Sequence, residues 1–103
     1  MDVLSRADSR EAQFRQAIRD STRLPTAEKL VLLNQLRLRL AAVQMKGGRM
    51  NQARETLREV DTASPAAPQA SLLMAESYRL SGQPNAARDW FLRAAHHYPY
   101  RPV

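Results

Sequence analysis

LAAVQMKGGRMNQARETLREVDTASP, residues 40–65, and MAESYRLSGQPNAARDWFLRAAHHYP, residues 74–99, carry one pattern at a spacing of 34 residues. Leu40-Ala41, Gly48, Ala53, Leu57, Val60 and Pro65 answer to Met74-Ala75, Gly82, Ala87, Phe91, Ala94 and Pro99. Four of these seven pairs are identical and three exchange one apolar residue for another, so the agreement lies where a chain packs or turns. Gln35/Gln69 and Arg54/Arg88 share the register. A fixed period of this size marks stacked helix–turn–helix units, none of which buries its apolar face alone. Alanine lets paired helices approach, glycine permits the tight turn between them, and proline ends the unit.

Apolar spacing places five helices around this pattern. Asp8 with Glu11 three residues on reads as a capping box that opens a helix over residues 9–22, with a thin stripe of Phe14, Ala17 and Ile18. Arg19 stands where a full repeat would put a small residue, so residues 1–25 read as an N-terminal capping helix. A second helix runs from Pro25-Thr26 to Lys46. Its two stripes, Leu33/Leu36/Leu40/Val43 and Val31/Leu38/Ala42/Met45, demand neighbours on more than one side. The third is predicted over residues 50–62, stopped by Ser64-Pro65; the fourth from near Pro68 to Leu80; the fifth from Pro84 to His97. Every glycine and proline falls at a boundary, and no segment alternates as a strand would. The expectation is one all-α domain: the cap, a first unit at 26–65 with an extended first helix, and a second unit at 66–103.

With Ala75, Tyr78, Gly82, Ala87, Phe91, Ala94 and Pro99 in place, the second unit resembles the tetratricopeptide repeat (TPR). The first unit is a weaker copy. It has Gln44 where the family usually has an aromatic residue, Arg37 where a Trp is common, and Val60 for a small Ala, while the second unit has Ser71 for that Trp. The resemblance spans residues 34–99 and implies an α-solenoid of antiparallel helix pairs that binds other proteins. In such proteins the first helix of each pair lines the concave face. Carried onto this chain, that groove is Gln35, Leu38, Arg39, Ala42, Met45 and Lys46 from one unit, and Gln69, Leu72, Leu73, Glu76, Arg79 and Leu80 from the other. The family's best-known groove grips chaperone tails with Lys and Asn; Leu and Ala stand in their places here, so that ligand is not expected. Small proteins of this family often serve as adaptors or chaperones in bacterial secretion and envelope assembly, and the resemblance extends that expectation to this chain.

The 103 residues carry 16 Lys and Arg against 10 Asp and Glu, a net charge of +6. Half of the excess lies in residues 26–48, where Lys29, Arg37, Arg39 and Lys46 face Glu28 alone. Such a bias favours a partner segment that is acidic as well as apolar. A basic nucleic-acid binder is the rival reading. It is disfavoured because the bases are interleaved with acids, and because Trp90 and Phe91 lie far in sequence from the basic helix, whereas stacking readers mix the two. A spacer within a longer solenoid is a further alternative.

No chemistry of catalysis emerges. The chain has no cysteine, which excludes disulfides and thiolate ligands. Its two histidines, His96 and His97, are adjacent, so on a helix they diverge by roughly 100° and share no metal easily. Neither HExxH nor a glycine-rich phosphate loop occurs. The expectation is therefore no enzyme, no cofactor and no metal. Apolar runs such as Leu30–Leu33 fall far short of the roughly 20 residues that cross a bilayer, so no membrane insertion is expected. Met1–Arg6 mixes acid and base and is not a signal peptide. A complete chain would then be cytoplasmic, and a piece of a longer protein would carry no such implication. A second surface is expected on the last helix, where Trp90, Ala94, His97 and Tyr98 join Ala87 and Phe91 in a broad face. It would meet a partner helix or its own copy about a two-fold axis.

Overall fold

The computed structural model describes residues 3–21 and 27–97, with side chains for 8–20 and 27–96. Five helices follow one another: α1 (Val3–Ser21), α2 (Ala27–Lys46), α3 (Met50–Arg58), α4 (Ala67–Leu80) and α5 (Pro84–His97). No strand occurs among the described residues. Each helix packs on the one before it, and α4 also touches α2. The pairs α2/α3 and α4/α5 are therefore two helical hairpins side by side, and α1 lies on α2 without touching α4.

The turns inside both hairpins are built alike. Gly48 and Gly82 take left-handed φ values of +79° and +74°, as their shared register predicts. The amide of Gly48 donates to the Met45 carbonyl (3.0 Å) and that of Arg49 to the Gln44 carbonyl (2.8 Å). Gly82 and Gln83 repeat the arrangement onto Arg79 (3.1 Å) and Tyr78 (2.9 Å). These are the paired bonds that satisfy the orphan carbonyls at a helix end, and they need a residue in the left-handed region.

Small residues set how closely the hairpins approach. Ala41, Ala53 and Ala75 are completely shielded. Ala41 and Ala53 join Leu38, Met45, Leu57, Val60, Ala66, Ala70 and Met74 in one cluster, with Met50, Leu73, Tyr78 and Trp90 packed against it.

Two helices differ from the sequence reading. The first begins at Val3 and runs through Asp8, which therefore caps nothing. The carboxylates of Asp8 and Glu11 pair instead with the Arg49 guanidinium across the fold, so the capping-box spacing serves a tertiary contact. The third ends at Arg58 rather than at residue 62. Arg37 Nη1 donates to the Glu59 carbonyl at 3.2 Å, and Asp61 turns the chain by accepting from the Ala63 amide at 3.0 Å. Local side-chain bonds of this kind compete with continued helix.

Candidate functional site

Unit one departs from the family's aromatic residues at 37 and 44, and both substitutes, half-buried Arg37 and buried Gln44, are polar links to a neighbouring element. Gln44, only 1 % exposed, donates to Glu11 Oε1 on α1 at 3.1 Å and accepts from Thr56 Oγ1 on α3 at 2.8 Å. Glu11 also accepts from Arg15 Nη2 at 2.6 Å and pairs with Arg49. Burial by itself would raise the Glu11 carboxyl; the bonds from Arg15 and Gln44 and the charges of Arg49 and Arg15 outweigh it and hold the group below the usual carboxylate range. Arg37 donates to Asn34 Oδ1 at 3.0 Å as well as to the Glu59 carbonyl, and lies 3.5 Å from the Glu59 carboxylate. Asn34 in turn donates to Ser64 Oγ at 3.1 Å. A buried donor or acceptor without a partner is costly, so such links fix one arrangement of α1, α2 and α3. In that arrangement α1 leaves α4 uncovered.

The uncovered surface is an exposed stripe on each first helix. Gln35, Arg39, half-buried Ala42 and Lys46 recur along α2 at spacings of four and three. Gln69, Leu72, half-buried Glu76, Arg79 and Leu80 do so along α4. The two helices that carry these stripes are in contact. Leu72 and Leu80 are 48 % and 51 % exposed. Arg79 Nε donates to Glu76 Oε2 at 2.9 Å, a bond that holds the Glu76 carboxyl below its usual range, so this pair neutralises itself. Arg39 and Lys46 form no ion pair with a described residue. The face is thus apolar on α4 and positive on α2.

Three of the residues expected in the groove lie elsewhere. Leu38 (4 % exposed) and Met45 belong to the core cluster, and Leu73 is half-buried against it. Leu38 and Met45 stand three before and four after Ala41, the fully shielded residue of α2, and that spacing already placed them on the buried face. They hold the groove from beneath and cannot line it.

The second expected face is also redrawn. Trp90 is half-buried against the core and borders a cavity of about 180 Å³ with Leu57, Val60, Ala67, Ala70 and Met74. The Arg93 guanidinium lies 4.7 Å from its ring centroid. Ala94 is buried. The apolar groups that α5 leaves exposed are Phe91 and Leu92. The side chain of His97 and the whole of Tyr98 lie outside the described residues.

At least five of the sixteen basic side chains are engaged within the fold. Arg15, Arg37, Arg49 and Arg79 pair with carboxylates, and Arg54 is buried among hydrogen-bond acceptors. No described helix is long and apolar enough to cross a membrane.

The family model for the tetratricopeptide repeat matches residues 35–65, from the exposed stripe of α2 through α3 to Pro65. The match falls on the first unit, although the second keeps more of the pattern's aromatic and small residues. No curated protein and no solved structure matches the chain. The chain therefore carries a tetratricopeptide repeat at residues 35–65 and folds as a helical repeat of that kind.

Proposed function

We propose that this chain is a protein–protein interaction module, an adaptor or chaperone-like TPR protein with α1 as its N-terminal cap. Its ligand is a partner segment bearing apolar and acidic side chains, laid along the face shared by α2 and α4. Tetratricopeptide repeats generally mediate contacts between proteins. The observation that carries the finer reading is that α2 and α4 touch, with Leu72 and Leu80 half-exposed on α4 and, on α2, exposed Arg39 and Lys46 that form no ion pair with a described residue. Fully burying a leucine is worth roughly 1.5–3 kcal/mol, so covering the exposed half of each supplies about 1 kcal/mol. The cations add orientation and a faster encounter with an acidic ligand.

A displayed random-peptide library panned on the purified chain tests this. Enriched peptides should combine acidic and large apolar residues. Leu72→Asp and Arg39→Glu should each abolish their binding while helicity by circular dichroism stays at the wild-type level, whereas Leu38→Asp should unfold the chain. Enrichment without acidic residues, or binding that survives both surface variants, would contradict the assignment.

A further inference from the structure

Arg54 on α3 is only 5 % exposed because α4 closes over it. Its guanidinium donates to Ser77 Oγ (3.0 Å), the Ser77 carbonyl (3.1 Å), Ser81 Oγ (2.7 Å) and Asn51 Oδ1 (2.8 Å). It also lies 4.1 Å from the centroid of the Tyr78 ring. The acceptors on α4 belong to its last turn and C-cap, where the helix dipole is negative, and the Ser77 carbonyl accepts from Arg54 as well as from the Ser81 amide (3.1 Å). Arg54 is therefore a clamp on the end of a helix that runs antiparallel to α3.

The donor half of this clamp recurs 34 residues on. Asn85, Arg88 and Phe91 hold the register positions of Asn51, Arg54 and Leu57. Among the described helices α5 touches α4 alone. Arg88 is exposed and makes no hydrogen bond or ion pair with a described residue, and Phe91 is 40 % exposed where Leu57 is 3 %. The acceptor half, Ser77 with Tyr78 and Ser81, has no second copy among the described residues: Val43 and Gln44 of α2 and Gly47 just past its end hold those positions.

The geometry points to the Arg88–Phe91 face of α5 as a docking site for a helix of a partner protein, laid antiparallel to α5 as α4 lies on α3. The final turn of that helix offers Arg88 a carbonyl with a second lone pair to accept it, a hydroxyl and an aromatic ring. Charge complementarity selects the end of the helix: the Arg88 cation favours a C-terminus over an N-terminus. A second copy of this chain is the wrong occupant, because its matching helix end on α4 is already held by its own Arg54. This face is separate from the α2/α4 groove and does not depend on what binds there.

A synthetic peptide of residues 66–83 serves as the probe. It is held helical by a lactam between Glu76 and a lysine introduced by Leu72→Lys; these outward positions leave Met74, Ser77, Tyr78 and Ser81 untouched. Once circular dichroism shows it helical, its binding to the full chain is read by fluorescence anisotropy. We expect saturable binding below about 1 mM. It should weaken about tenfold or more with Arg88→Ala in the chain, and similarly with Ser77→Ala and Ser81→Ala in the peptide, the combined loss being less than the product of the two. Arg88→Ala should itself leave helicity and melting unchanged. A helical peptide that fails to bind at about 1 mM, or binds equally to the Arg88→Ala and Phe91→Asp chains, would overturn the proposal. So would a wild-type chain that dimerises in sedimentation and becomes monomeric with Phe91→Asp, which would give this face to a second copy.

Discussion

Arg54 and Arg88 occupy one register position in the two units, yet removing their side chains should have opposite consequences. Arg54 makes two buried hydrogen bonds to Ser77 and two part-buried ones, to Asn51 and Ser81. Hydrogen bonds to a charged group contribute roughly 1.5–3 kcal/mol each, so the buried pair alone accounts for about 3–6 kcal/mol. The part-buried bonds are replaced by water in the variant and add little. The acceptors left behind are neutral and the Ser77 carbonyl keeps its bond from the Ser81 amide, so we adopt the lower part of that range, about 3–5 kcal/mol, for Arg54→Ala. Arg88→Ala removes an exposed side chain without a partner among the described residues, a class of change that stays within about 0.5 kcal/mol. Arg54→Lys keeps the charge but not the planar fork and should recover less than half of the loss. Urea unfolding followed at 222 nm measures all three. With a slope of about 1.5 kcal/mol per molar urea, Arg54→Ala should lower the midpoint by about 2–3 M and Arg88→Ala by no more than about 0.3 M. Equal shifts in the two alanine variants would refute the reasoning, because the clamp would then contribute no more than any surface arginine.

Two further outcomes follow from the turns and the buried polar chain. No atom lies within 4 Å of a Cβ built on Gly82, so the cost of a substitution there is conformational alone; Gly82→Val should lose about 1–2 kcal/mol and Gly82→Asn less, and a valine variant with the wild-type melting temperature would contradict this. Glu11 has a folded-state pKa below its ordinary 4.5, so its stabilisation is complete above about pH 4.5 and is lost as pH falls through the lower folded value. Urea midpoints taken between about pH 6 and 3 should therefore drop on the acid side, and Glu11→Gln should flatten that limb; an unchanged limb in the variant would separate Glu11 from acid unfolding.

The repeat and its turns were legible because they rest on local rules. Gly48, Gly82, Ala41, Ala53 and Ala75 announce their roles through spacing and size, which survive without any knowledge of neighbours. The polar contacts were not legible. Glu11 has the spacing of a capping box, and only the folded chain shows its carboxylate reaching Arg49 and Gln44, residues more than 30 positions away. Trp90 looked like the anchor of an open face because aromatic residues often mark one; in the fold its ring turns back toward Met74 and Ala70, and Phe91 is left outside. The clamp at Arg54 had left a signal in its repetition at Arg88. What the sequence lacked was the identity of the acceptor, since Ser77 and Ser81 are ordinary helix-end residues until Arg54 lies against them.

The central claim, that the shared face of α2 and α4 receives an acidic and apolar segment, is tested most directly by chemical-shift mapping. A ¹⁵N-labelled chain is titrated with the best peptide from the displayed library, and amide shifts are followed to saturation. The account predicts the largest changes at Gln35, Arg39, Lys46, Gln69, Leu72 and Leu80, with α1 and α5 nearly still. Shifts centred on α1 or α5, with those six amides unmoved, would contradict it.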